Sequence, residues 1–275
     1  FSIFALDDLS LVHSPRSKIL KLIKDENPDI LCLEEYYWDT QDNAEPYTGI
    51  LQQSGYPFVA FATEYEMAKG NITSHALPGE KINVGQAIFS KYPLKNTIDY
   101  DLYADHYKML KTDVVIDSNN VFSLNVVHLT SVGFGRKEMG YISDIKKTGV
   151  DAENNSRSKS LLKKLVNAAA NRSLLANKID SLRREMDYPQ VICGDFNDMP
   201  GSYVYAKVKG PLKDAFVKKG TGLGRTYRLI SPTLRIDYIL YDDNALKIEG
   251  YRKPDVDLSD HYPVMANFSI KTTKK

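Results

Sequence analysis

Residues 191–198 read VICGDFND, a short apolar run that gives way to a glycine and then to acidic and amide side chains. The run has the length and content of a buried strand. Three other stretches are read in the same way, as apolar strands that run into acidic or amide residues at the carboxyl end: ILCLEE at 30–35, VVHLTS at 126–131 and RIDYIL at 235–240. A polar loop segment, LSDHYP at 258–263, joins them. Ligand sites in layered architectures gather where several strands end, because the scaffold fixes each end while the loops beyond stay free. The polar residues of these five segments are therefore expected to converge.

Working outward, RSKILKLIK at 16–24 places Ile19, Leu20, Leu22 and Ile23 on one side of a helix that Asn27-Pro28 stops before the strand at Ile30. FVAFAT at 58–63 and VGQAIFS at 84–90 read as strands, with 69–83 as loop. TDVVID and VFSLNVVHL, parted by Ser118-Asn119-Asn120, read as a β-hairpin whose second arm reaches His128. A polar, Gly-containing excursion occupies 130–155. Apolar residues at helical spacing then run to Tyr188-Pro189, as one or two helices with Asn171–Ser173 as the weak point. After 191–198 come a short helix beyond Pro200, the segment LKDAF, a Gly-rich turn GTGLG at 220–224, and strands at 235–242, 246–251 and 263–270. Residues 1–275 are read as one domain, with a long polar and basic excursion at about 130–188.

Composition excludes several classes. With 43% hydrophobic and 26% charged residues, 18 Tyr and 10 Phe, the chain can bury a sizeable core and is not disordered. A net charge of +1 supplies no global field of the kind that coats duplex nucleic acid. No run of about 18 apolar residues spans a membrane, while the location of the protein, and a signal or anchor upstream of Phe1, stay open. Cys32 and Cys193 sit in apolar strands without C-x-x-C spacing and read as free, buried thiols.

With ILCLEE, GDFND and SDHYPV standing in the family's order, the chain resembles the endonuclease/exonuclease/phosphatase superfamily over about residues 16–270. The nearest likeness is to bacterial members that read I-L-C-x-Q-E-F-Y, G-D-F-N-D-x-P and R-I-D-Y-I-L. The resemblance implies a deoxyribonuclease-like, four-layered α/β sandwich: two packed mixed β-sheets flanked by helices. It also implies a divalent-metal-dependent phosphoesterase that uses Mg²⁺, with Mn²⁺ as the alternative. The substrate would be nucleic acid, a phospholipid or an inositol phosphate. No partner protein is implied, and a monomer is expected.

Carried over by position, Glu35 matches the metal-binding glutamate and Asp260 resembles a second carboxylate near the metal; carboxylate oxygen suits a hard cation that keeps several waters. Asp195 and Asn197 match the pair that handles the nucleophilic water and the phosphoryl group, with Phe196 between them turned into the core. A simple G-D-x-N turn, with both side chains bonded to their own backbone, is the plainer reading of that tetrapeptide. His261 matches the histidine at the scissile phosphate and Asp237 the aspartate that holds it. His128 matches an N-x-H-L histidine that donates to a non-bridging oxygen, against the plainer reading of a core histidine. Lys108 and Lys111 take positions where a residue facing phosphate is common.

Acyl-transfer and zinc chemistry lack their motifs: there is no G-x-S-x-G and no H-E-x-x-H. From Arg136 to Glu185 twelve Lys/Arg face six Asp/Glu, either a basic flap for a polyanion or a solvated helix face. One departure stands out. The family's first strand ends in an Asn, whereas this chain opens FSIFALDD. The first strand is therefore expected to be missing or clipped, with 1–8 as loop, and a catalytically impaired scaffold that binds phosphate, nucleic acid or phospholipid is the competing reading.

Overall fold

The computed structural model describes residues 1–6, 16–38, 46–68, 79–103, 106–135, 137–142 and 155–271. Among these residues, twelve strands form two six-stranded sheets. The first sheet holds β1 (Ser2–Leu6), β2 (Ile30–Trp38), β3 (Phe58–Ala68), β4 (Lys81–Ser90), β11 (Leu246–Arg252) and β12 (Val264–Ile270) in the order β11-β12-β1-β2-β4-β3. The second holds β5 (Leu94–Tyr103), β6 (Tyr107–Val115), β7 (Val121–His128), β8 (Gln190–Asp195), β9 (Lys213–Asp214) and β10 (Asp237–Tyr241) in the order β5-β6-β7-β8-β10-β9. Each sheet contains one parallel pair, β1 with β2 and β7 with β8. A parallel pair requires a crossover. Helix α1 (Arg16–Glu26) lies in the first crossover and the 30-residue α3 (Asn155–Arg184) in the second.

Three apolar clusters follow from the alternation of side chains along each strand. Ile30 and Cys32 of β2, Leu124 and Val126 of β7, and Val191 and Cys193 of β8 face one another between the sheets. Leu31 and Leu33 of β2 turn outward to Ile19 and Ile23 of α1 and to Leu51 of α2 (Pro46–Gln53). Val127 and Ile192 turn outward to Leu175 and Ile179 of α3 and to Val204 and Val208 of α4 (Tyr203–Lys209). The result is helix, sheet, sheet, helix, the four-layered sandwich that the resemblance implies. Both cysteines are free and buried, as their apolar settings require.

One expectation is overturned. The first strand is not missing: Ser2–Leu6 fills the slot between β2 and β12, with Ile3 opposite Ile30 on one side and Ala266 on the other. Ile3 is fully buried in the inter-sheet core, and the Phe1 ring stacks on Phe122 with centroids 4.9 Å apart. Five residues make too short an alternation to register in the sequence, and the connection to α1 falls on residues outside those described. Three smaller differences have similar causes. β5, LKNTIDYDLY, is a mostly exposed edge strand whose one apolar alternation, Ile98, Tyr100 and Leu102, spans only five residues. β4 begins at Lys81, inside the expected loop. The helix at 155–184 runs unbroken through Asn171–Ser173, because Arg172 is held by tertiary contacts and the Ser173 hydroxyl bonds the Ala169 carbonyl at 2.8 Å.

Replacing Ile3 with Ala is expected to cost about 2–5 kcal/mol in urea denaturation, the usual range for emptying a core isoleucine site. A loss below about 0.5 kcal/mol would show that β1 is not part of the core.

Candidate active site

The inward rows of both sheets end in polar groups at one edge. On β2, Ile30 and Cys32 are followed by Glu34; on β3, Ala60 and Ala62 by Glu64; on β7, Leu124 and Val126 by His128; on β8, Val191 and Cys193 by Asp195. On β4 Gln86 precedes Ile88, and on β10 Asp237 precedes Ile239 and Tyr241, these strands running the opposite way. Side-chain alternation thus carries every one of these groups to the space between the sheets. The cleft there has a volume of about 490 Å³, and its polar floor includes Glu35, His128, Asp195, Asn197, Asp260 and His261. Val132, Phe134, Leu165, Met199 and Ile230 form an apolar wall.

Glu35 reaches the cleft through a break in the ladder. The register of β2 against β4 shifts between Leu33 and Tyr36, and Glu35 takes a left-handed φ of 49°. The bulge lets Tyr36 resume the outward row while re-aiming the glutamate. Strain of this kind in a residue with a side chain persists only where the surroundings enforce it.

Asp195 and Asn197 meet by a turn rather than by strand alternation, since β8 ends at Asp195 and Asn197 has φ 49°. The Asn197 backbone N–H donates to Asp195 Oδ1 at 2.6 Å and its Nδ2 to Oδ2 at 2.7 Å. Nδ2 also donates to the Leu129 carbonyl at 2.9 Å. The turn reading holds for Asp195, whose side chain accepts from the Asn197 N–H, while the Asn197 amide grips the other Asp195 oxygen rather than its own backbone. Phe196 is fully buried in the outer cluster, as expected. Gly194, at φ 133°, permits the approach of β7, since a Cβ there would sit 1.9 Å from the Val127 carbonyl oxygen and 2.9 Å from Glu34 Oε1.

His261 Nδ1 lies 3.0 Å from each Asp237 oxygen, and both residues are buried. Its ring meets that of Tyr227 edge to face at 4.9 Å, and its backbone N–H donates to Ser259 Oγ at 3.0 Å. Asp237 is held from behind, because the Thr226 hydroxyl accepts from the backbone N–H of Ile236 at 2.9 Å and of Asp237 at 3.1 Å. Asp195, Asp237 and His261 place ligand atoms within 4.8 Å of one another. A second histidine–carboxylate pair borders the same cleft. His128 Nδ1 is 3.6 Å from Glu64 Oε2, and Gln86 Nε2 donates to the other Glu64 oxygen at 3.0 Å and to the Lys108 carbonyl at 2.9 Å.

The cleft gathers six of the sequence-derived residues, Glu35, His128, Asp195, Asn197, Asp260 and His261, with Asp237 behind His261. It does not gather the two lysines. Lys111 shares the outward row of Met109, away from His128, and pairs with Asp113 at 2.7 Å. Lys108 shares the inward row, but its ammonium goes to Asp101 and, at 3.8 Å, Asp99 on β5. Alternation separates the two lysines, since residues three apart on a strand cannot face the same way. Glu64, Gln86 and Arg172 went unseen. A lone Gln inside VGQAIFS was the available signal for Gln86, whereas Glu64 sits in a polar stretch and Arg172 in a basic helix. Arg172 lines the cleft and ties α3 to Asp198 at 3.1 Å and to the Thr130 carbonyl at 2.9 Å.

The family model for the Endonuclease/Exonuclease/phosphatase family matches residues 9–261. The chain belongs to this family, whose general activity is phosphoester hydrolysis and which generally uses divalent metals. No curated protein matches it by sequence. Among solved structures, it is similar to the human Nocturnin catalytic domain with bound sulfate at 17% identity and TM-score 0.66, over 98% of this chain and 94% of that one. The 3'-5' exonuclease NExo from Neisseria meningitidis is similar at 16% identity and TM-score 0.63, over 98% and 99% of the two chains. Sphingomyelinase C from Streptomyces griseocarneus is similar at 16% identity and TM-score 0.55, over 96% and 98%.

Gly194→Ala is expected to lower stability by about 2 kcal/mol or more, since it adds backbone strain to a clash with β7. Thermal unfolding unchanged from the parent would contradict the close approach.

Proposed function

We propose that this family member hydrolyses a phosphodiester or phosphomonoester by direct in-line attack of water, with Mg²⁺ as its cation and Mn²⁺ as a substitute. The observation that carries the reading is the pair of histidine–carboxylate dyads, His261–Asp237 and His128–Glu64, set around one gripped carboxylate, Asp195. Glu35 and Asp260 would hold the cation, because oxygen-only carboxylate donors suit a hard divalent ion. When bound, such an ion polarises the phosphoryl group and stabilises the leaving oxygen.

Asp195 orients the attacking water and accepts its proton as the new oxygen–phosphorus bond forms and the bond to the leaving oxygen breaks. Asn197 keeps both Asp195 oxygens in place, so its contribution is to position the base. His261, as an imidazolium on Asp237, and His128, beside Glu64, donate to the non-bridging oxygens whose charge grows in the transition state. No covalent intermediate is required. The apolar wall from Val132 to Ile230 suits an ester whose organic group is itself apolar or aromatic. The exonuclease and the sphingomyelinase among similar folds leave nucleic acid and phospholipid both open as natural substrates.

Bis-p-nitrophenyl phosphate is expected to be hydrolysed with Mg²⁺ or Mn²⁺ and not with EDTA. Absence of hydrolysis with either metal would favour the binding-module reading. Asp195→Asn should fold and lose at least ~10² in turnover, the scale of a general base. His261→Ala should lose a similar factor, and the double variant should be little worse than either alone, since both act on one transition state. Losses that multiply independently would contradict the shared step.

A further inference from the structure

The Gly-rich turn at 220–224 has no part in the cleft, yet it borders a second cavity. This cavity, of about 370 Å³, is lined by Thr221 and Gly224 of the turn, by Phe216 and Tyr251, and by Arg252, Lys253 and Pro254. Beside it, three cations converge on one aromatic ring. Lys253 Nζ lies 3.4 Å from the centroid of Tyr262, and the guanidinium carbons of Arg228 and Arg225 lie 5.3 Å and 5.9 Å from it.

Among the described residues, negative charge does not match this convergence. Among the described residues the one ion pair in the cluster joins Arg228 to the exposed Asp257. Arg225 spends its Nε on the Tyr227 carbonyl at 3.0 Å and an Nη on the Arg228 carbonyl. Burial, and then the two guanidiniums, hold Lys253 below the ordinary lysine pKa, against the opposing pull of Asp255. A cation–π contact is weak beside the repulsion among three like charges, so the ring alone offsets little of it.

We propose that Arg225, Arg228 and Lys253, with the Thr221 hydroxyl at the turn, form a second anion site that takes a phosphate group. Two planar guanidiniums and a compact ammonium are the donor set that suits a tetrahedral oxyanion. The turn can approach such an anion closely because Gly222 and Gly224 take φ of 72° and 68°. The site is separate from the cleft. Tyr227 pairs with His261 in a single antiparallel bridge, so Tyr262, one residue on, presents its ring to the opposite side. The occupant is either free phosphate or a further phosphate on the molecule whose ester group enters the cleft.

The test is an amide NMR titration with inorganic phosphate in EDTA, against chloride at equal ionic strength. Phosphate is expected to shift the amides of 221–225 and 252–253, with affinity at least ~10-fold weaker in Lys253→Met, the loss of one charge-assisted contact. Lys253→Glu, which supplies an internal anion, should abolish the response and melt no lower than the parent. Equal shifts with chloride, or an undiminished phosphate response in Lys253→Met, would overturn the site. Its source follows from kinetics with metal. A raised KM in Lys253→Met for a 5'-phosphorylated dinucleotide, but not for bis-p-nitrophenyl phosphate, identifies a substrate phosphate. Unchanged KM for both, with the titration response intact in the parent, identifies free phosphate.

Discussion

Two sheets packed face to face must fill the space between them with side chains from alternate positions of each strand, and that space must end somewhere. In this chain it ends at one edge with a polar residue in each of six inward rows: Glu34, Glu64, Gln86, His128, Asp195 and Asp237. The inter-sheet core and the candidate site are therefore one construction. The apolar part of each row holds the sheets together, and the same registers hold the polar ends in place. A one-residue slip in any strand would send its polar group to the outer face.

Polar groups so close to a core need partners, and the structure supplies them from the neighbouring strand or turn. Asp237 has His261 and the backbone fixed by Thr226; Asp195 has Asn197; Glu64 has Gln86 and His128. Gln86 also bonds across to β6, accepting from the Leu110 N–H at 3.1 Å. One buried amide thus joins the two sheets at the depth where the cleft begins. Rigid support of this kind is what a site needs if its groups are to meet a transition state without rearranging.

Two glycine- and bulge-dependent details refine the arrangement. The left-handed Glu35 puts a carboxylate where plain alternation would have turned it to the helix side, and Gly194 lets β7 and β8 close at the point where His128 and Asp195 stand opposite one another. The long helix α3 contributes to the cleft through Arg172, by bonding the loop after His128 to Asp198, the last residue of GDFND. Its other buried cation, Arg183, belongs to an ion pair with Asp180 at 2.6 Å. Part of the basic excess in this segment is therefore structural.

Much of the site was legible in the sequence because strands that end in ILCLEE, NVVHL and VICGDFND carry their chemistry in contiguous residues. The layer architecture was legible through the family resemblance that those motifs carry. What contiguous reading could not reach was anything set by pairing across sheets. β1 is too short to show a period and is defined by its neighbours Ile30 and Ala266; β5 is an exposed edge defined by β6. Glu64 and Gln86 acquire meaning only where β3 and β4 bring them to His128 and β6, and Lys111 loses its expected place because parity puts it on the far face. The residue types that can do the chemistry were determined by the sequence, and which of them share a face was decided by register, because a strand's side-chain direction depends on its alignment with strands distant in the chain.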